Sequence, residues 1–158
     1  MTQFCLRCAT PLVDRVVDHR ARPTCPNCGY TLFFDPKVAV AAILKMGDGI
    51  VLCKRAIDPG MGKWSFPAGF VDRGEEVRTA LLREIREETG LEATLGQLIG
   101  VYSEAGNPVV LIVYQADAVG TLIVSDESSA IEIFRPDALP ELAFAHDKMI
   151  VDDWLNRT

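Results

Sequence analysis

The sequence predicts an α/β domain that carries a small metal-stabilised unit at its N-terminal end. Three features predict it. Short apolar runs, punctuated by Gly and Pro, are interrupted by two stretches of helical period, the pattern of helices layered on a sheet. Four of the five cysteines form two Cys-x2-Cys pairs, Cys5/Cys8 and Cys25/Cys28, separated by 16 residues. The first helical stretch carries three carboxylates, Glu84, Glu87 and Glu88, on one face. At 158 residues the chain has room for one ordinary domain plus an appendage.

The appendage comes first, over residues 1–34. Its paired knuckles have the spacing of a four-thiolate zinc site, and soft thiolates in a tetrahedral set select Zn²⁺ over hard ions. A Cys-x2-Cys redox pair is the alternative. The intervening LVDRVVDHRARPT reads as a short β segment with a turn, and Pro26, Asn27 and Gly29 supply the reversal of the second knuckle. So small a unit cannot bury a sufficient core, so metal binding has to supply its folding energy. His19 reads as a surface residue, because four thiolates already close the site.

Asp35-Pro36-Lys37 opens the main domain, residues 35–158. Val38–Lys45 reads as a buried strand, Gly47-Asp48-Gly49 as a hairpin turn and Ile50–Arg55 as the returning strand. Cys53 in that strand reads as a small buried hydrophobe. A Pro/Gly-punctuated loop, 56–63, leads to a short extended Trp64-Ser65-Phe66. The acidic entry at Gly74-Glu75-Glu76 predicts a helix start that complements the macrodipole, and Gly90 predicts its end. Strands are expected over Glu92–Tyr102, Val109–Val119 and Ala130–Arg135, with an acidic loop over 120–129. A terminal amphipathic helix spans 145–156, with Ile150, Val151, Trp154 and Leu155 inward.

The chemistry concentrates on the first helix. Positions i, i+3 and i+4 share an arc of about 100°, so Glu84, Glu87 and Glu88 project together. A solvated amphipathic helix, with Val77, Leu81 and Ile85 buried and Arg83/Glu87 as an i,i+4 pair, accounts for part of the pattern. Three adjacent carboxylates repel one another, however, and that cost makes sense beneath a hard divalent cation with oxygen ligands and open positions.

Gly69, Glu75, Arg83, Glu84, Ile85, Glu87, Glu88, Gly90 and Leu91 match G-x5-E-x7-R-E-U-x-E-E-x-G-U at every fixed place. On that motif the chain resembles the Nudix hydrolases. The resemblance implies an α/β/α sandwich over a mixed β-sheet, here preceded by the zinc ribbon. It implies hydrolysis of a nucleoside diphosphate linked to another moiety, with Mg²⁺ or Mn²⁺ as catalytic ion and Zn²⁺ as structural ion. By motif position it implies Glu87 and Glu88 as metal ligands, Glu84 as ligand or base, and the Ala68 carbonyl as a further ligand. Arg83 would pair with the box carboxylates and Glu75 would anchor the helix entry. Family members also recruit an acid from outside the box. Glu127 is the first candidate, Glu132 the second and Glu104 the third, each set against an ordinary solvated acid. Arg55 could reach a phosphate or face solvent, and Trp64 could stack on a base or pack in the core.

The ribbon, with FFDPKVAVAAIL, CKRAIDPGMGKWSFPAGF and LPELAF, is similar to the zinc-ribbon branch of the family that includes FAD pyrophosphatase-like proteins. The SQPWPFPxS array of NADH pyrophosphatases is absent from VYSEAGNPVVLIVY. ADP-ribose, FAD and other dinucleotides therefore remain open. An oxidised-triphosphate house-cleaning hydrolase and a non-catalytic nucleotide-sensing module are the alternatives. The net charge of −6 argues against a general affinity for nucleic acid. With no signal-like or membrane-spanning apolar run, the cytoplasm is the expected location. The resemblance also implies a homodimer.

Overall fold

The computed structural model describes residues 2–157. They form two compact units, one up to Pro36 and one from Lys37.

In the first unit, β1 (Val13–Val17) and β2 (Arg20–Thr24) make an antiparallel hairpin. Asp18 and His19 form its turn, both with positive φ, so His19 lies at the hairpin tip, away from the cysteines. The two knuckles are built alike. The Ala9 N–H donates to the Cys5 carbonyl at 2.8 Å, and the Gly29 N–H donates to the Cys25 carbonyl at 3.0 Å. These turns bring Cys5, Cys8, Cys25 and Cys28 together, with sulfur atoms all within 4.8 Å of one another.

The second unit is a mixed sheet with a helix on each face. Its strands are β3 (Lys37–Met46), β4 (Gly49–Arg55), β5 (Trp64–Ser65), β6 (Ala68–Phe70), β7 (Glu92–Ser103), β8 (Val109–Val119) and β9 (Ser128–Phe134). The path runs β5-β4-β3-β8-β7, with β6 also on β3 and β9 also on β4. Only the β3–β8 pairing is parallel among those described, and it extends from Lys37/Val109 to Lys45/Asp117.

β3 sits at the centre, and its near-continuous apolar run follows from burial on both faces. Val40, Ala42 and Leu44 pack towards Ala80, Leu81 and Ile85 of α1 (Val77–Thr89). Ala41 and Ile43 pack the other way, with Ile150, Val151 and Trp154 of α2 (Ala145–Leu155). The period of two thus assigns one helix to each face, which makes the unit an α/β/α sandwich.

Two local expectations need correcting. Glu75 and Glu76 precede α1, and no acid lies in its first turn. Gly74, at φ 88°, turns the chain so that Glu75 points back, accepting the Asp72 N–H at 3.1 Å. Leu155 is 47% exposed, one residue beyond the buried stripe Ile150–Val151–Trp154. No helix among the described residues is long and apolar enough to cross a membrane.

Candidate active site

The site is assembled where the C-terminal half of α1 meets β6. Gly69 is required there by a close approach: a Cβ at that position would collide with the carboxyl of Glu84. One residue earlier, the Ala68 N–H donates to Glu88 Oε2 at 2.9 Å. Two carboxylates from one helix face are therefore docked on consecutive residues of one strand. α1 ends with Gly90 in the left-handed region, φ 73°, its N–H donating to the Arg86 carbonyl.

Arg83 organises the remaining acids. Its Nε and Nη2 clasp both oxygens of Glu75 at 3.0 and 2.9 Å, the bidentate geometry that guanidinium favours. Nη1 donates to Glu84 at 2.7 Å and to Glu87 at 3.2 Å, and Nη2 also reaches the Phe70 carbonyl. Glu84 is 14% exposed and Glu87 60% exposed, so the face grades from buried to open.

Burial pushes the Glu84 carboxyl above the usual carboxylate range against the pull of Arg83, and the charges of Glu87 and Glu127 push the same way. Burial raises Glu88 further, to about 7, opposed by the Ala68 N–H and aided by the charges of Glu84 and Glu127. Glu127 thus lies within electrostatic reach of both box acids. Its own backbone is pinned, the Ala56 N–H donating to its carbonyl at 3.0 Å. Glu132 is an exposed residue mid-way along β9, opposite Leu52.

The donor set suits a hard divalent cation. It is all oxygen, it is graded from buried to open, and Arg83 at Glu84, like the Ala68 N–H and Arg55 at Glu88, does not offset the burial of either carboxyl. The cysteines suit a different ion. Sulfur–sulfur separations of 3.5 Å for Cys8/Cys25 and 3.6 Å for Cys5/Cys28 and Cys8/Cys28 approach the edge of about 3.8 Å that a tetrahedron with Zn–S of about 2.3 Å requires. Cys53 is buried on β4. Desolvation pushes its thiol up to about 12, with the charge of Glu88 adding, so it is no nucleophile.

Beside Glu88 opens a cleft of about 340 Å³. Its floor is made of small residues, Ala39, Ala41, Ala68 and Gly69, and Phe66, Phe70 and Phe144 stand around it. Arg55 lines it, held by its Nε–H donating to the Pro59 carbonyl at 2.6 Å and lying 5.2 Å from the centre of the Phe144 ring. Its charge acts on both Glu88 and Asp147. Trp64 does not line the cleft. Its ring packs edge-on against Phe134 at 4.7 Å, beside the α2-side core.

Three cleft residues were given no site role in the sequence: Phe144, which closes the LPELAF stretch, and His146 and Asp147, which carry no motif. Asp147 is 2% exposed and accepts the Phe144 N–H at 3.0 Å, half of a capping box, while His146 stacks parallel to Phe144 at 5.5 Å. Burial raises the Asp147 carboxyl above its ordinary range.

Comparison with known proteins gives a consistent picture. Residues 35–153 match the family model described as the NUDIX domain. The ADP-ribose pyrophosphatase of Methanocaldococcus jannaschii is 41% identical over 128 residues, covering 78% of this chain and 76% of that protein. A NAD-capped RNA hydrolase NudC of Pseudomonas aeruginosa is 31% identical over 143 residues, covering 89% of this chain and half of that longer protein. Among solved structures, a NUDIX hydrolase from Nitrosomonas europaea matches with a TM-score of 0.88 at 29% identity, over 96% of this chain and 88% of that one.

Proposed function

The chain belongs to the Nudix hydrolase family, and from that premise we propose a Mg²⁺-dependent pyrophosphohydrolase that cuts the diphosphate of ADP-ribose or a related dinucleotide. The observation that carries the reading is the meeting of Glu84 and Glu88 with β6 at the side of an apolar cleft large enough for a nucleotide. The likeness to an ADP-ribose pyrophosphatase over three quarters of both chains supports ADP-ribose as the first substrate to test.

In this reading Glu87 and Glu88 hold the ion, Glu84 is a ligand or base, and the Ala68 carbonyl is a further ligand. Bound there, Mg²⁺ supplies charge to the phosphate oxygens and a water of lowered pKa. Arg83 keeps Glu84 and Glu87 on one side of the site, and Glu75 fixes Arg83. Glu127, whose charge acts on both Glu84 and Glu88, is the residue this reading assigns to accept the proton of the attacking water. Arg55 offers a cation to the phosphates from inside the cleft. Water adds to one phosphorus, the P–O–P bridge breaks, and AMP and ribose 5-phosphate leave. Residues 1–34, with Zn²⁺ on Cys5, Cys8, Cys25 and Cys28, form the structural ribbon, and residues 35–158 form the hydrolase. A homodimer belongs to the same proposal and is tested by the mass in solution.

The experiment is a Mg²⁺-dependent assay on ADP-ribose, NADH, FAD and 8-oxo-dGTP with product identification. Release of AMP from ADP-ribose or a dinucleotide is expected. Much faster turnover of the oxidised triphosphate, or binding without turnover of any of them, would overturn the reading.

A further inference from the structure

A second cavity, of about 300 Å³, adjoins the cleft. Val109, Leu111 and His146 line both. The sheet explains the continuity. Phe70 of β6 pairs with Ala39 of β3, Ala39 with Leu111 of β8, and Leu111 with Tyr102 of β7. Directly paired residues present their side chains to the same face, so these four make a straight row beneath the two cavities. Three strand spacings of about 4.8 Å give it a length of about 14 Å. An extended nucleoside monophosphate with its phosphate beside Glu88 carries its base to the far end of such a row.

The two ends differ in chemistry. The end near Glu88 has the small-residue floor and Arg55, which suits a ribose phosphate. The far end has an apolar bed of Val109, Leu111, Ala145 and Met149 with Ser103, Glu104 and His146 at its rim. A flat apolar bed with polar groups at its edge fits a planar heterocycle better than a sugar, which is polar all round. The Tyr102 hydroxyl is already committed to Asp153 Oδ2 at 2.9 Å. The Asp147 carboxylate is occupied by the Phe144 N–H, with His146 at 3.6 Å. The Glu104 carboxylate, by contrast, has no hydrogen bond or ion pair among the described residues. An ionised carboxylate only accepts, so it selects a donor on the ligand.

We propose that this second cavity is the nucleobase subsite and that Glu104 selects a base bearing an exocyclic amino group at its far edge. The proposal rests on the nucleotide-hydrolase reading above and names the base that reading leaves open. A keto group in the same place would set two acceptors against each other, which disfavours hypoxanthine relative to adenine.

The test is calorimetric titration of the intact protein with AMP and with IMP in the presence of Mg²⁺, which needs no turnover. Wild type should bind AMP about tenfold more tightly than IMP. Glu104→Ala should weaken AMP and, by removing the clash of acceptors, tighten IMP somewhat, so that the two bind about equally. Met149→Trp, which fills the second cavity, should weaken both. Equal affinities in wild type, a preference for AMP that survives Glu104→Ala, or undiminished binding of both by Met149→Trp would overturn the proposal. A protein that hydrolyses ADP-ribose without preferring AMP over IMP loses only the subsite. One that shows the preference but turns over nothing loses only the activity.

Discussion

The four cysteines and the three box glutamates are the two sets of side chains proposed to hold metal ions, yet the fold assembles them in opposite ways. The cysteine sulfurs are already gathered, at 3.5–3.6 Å across the knuckles. Thiols can approach without an ion because each is at once a weak donor and a weak acceptor. Backbone amides help, the Arg7 N–H and Cys28 N–H each lying 3.4 Å from a sulfur. The glutamates are not gathered, and among the described residues the cysteines are the metal-binding cluster that closes within 4.8 Å. Ionised carboxylates repel, so each is held by something else: Glu84 and Glu87 by Arg83, Glu88 by the Ala68 N–H. A site that only has to hold its ion is closed in advance. A site that must admit substrate and water is held apart.

The largest effect expected from breaking this contrast is on the closed site. Cys25→Ala removes one of the four thiolates proposed to hold zinc, and in structural sites of this kind the ion contributes an apparent ~10–16 kcal/mol to folding. Zinc content should fall to background and the β1–β2 hairpin should lose amide-exchange protection, while β3 and β8 keep theirs. Metal analysis with hydrogen exchange reads both. Loss of protection throughout residues 37–157 would contradict a metal dependence confined to the ribbon.

Next comes the open site. Glu88→Gln keeps the side chain's shape and its acceptor for the Ala68 N–H but removes the charge, so kcat on ADP-ribose should fall at least about 100-fold. The melting temperature of the second unit should change little. Arg83→Lys should cost about 10–100-fold, because an ammonium cannot clasp Glu75 bidentately and still reach Glu84 and Glu87. Rates within twofold of wild type for either variant would remove that residue from the site.

A pH titration of stability sharpens the comparison further. Burial raises the Glu88 carboxyl to about 7, above its unfolded value of about 4.3. The folded state therefore holds the proton more tightly. The stability this contributes is fully present below about pH 4.3 and is lost as pH rises through about 7. Protein kept free of added Mg²⁺ should melt lower at pH 8 than at pH 6, Glu88→Gln should flatten that fall, and Mg²⁺ should offset it. A melting temperature that rises between pH 6 and 8 in the absence of the ion would reverse the assigned direction.

Legibility in the sequence followed the range of the interactions involved. Both helices and most strands were readable because apolar runs and the 3.6 period are local. β6 (Ala68–Phe70), however, falls where a glycine-bearing turn is expected. The unbroken apolar run of β3 does not say which of Val40/Ala42/Leu44 and Ala41/Ile43 faces which helix. The acidic face of α1 was readable from its local period. The cleft was not. Phe144, His146 and Asp147 reach it because α2 lies across β3 and β8, a relation that no spacing within residues 144–147 encodes. Trp64 stayed open between stacking and packing because an indole near a glycine-rich loop suits either, and in the fold its ring packs against Phe134. Glu104 read as a third-rank acid for the metal. The β7–β8 pairing instead places it at the second cavity.

The smallest prediction lies within the ribbon, where the two knuckles are the same turn written with different residues. Gly29 takes the left-handed position of the second knuckle at φ 73°, where glycine is free of the Cβ penalty. Ala9 takes the equivalent place in the first at φ 56° and bears that penalty, about 1–2 kcal/mol for a residue with a side chain. Ala9 is exposed, so its methyl group contributes little packing to offset the strain. Ala9→Gly should therefore stabilise the first knuckle despite the greater freedom that glycine adds to the unfolded chain, an opposing effect of about 0.4–1 kcal/mol. The net gain should be a fraction of a kcal/mol to about 1 kcal/mol. It should appear as slower loss of zinc to a chelator, with the activity of the second unit unchanged. Gly29→Ala should shift zinc loss the other way. If both substitutions moved it in the same direction, the two knuckles would not be equivalent turns.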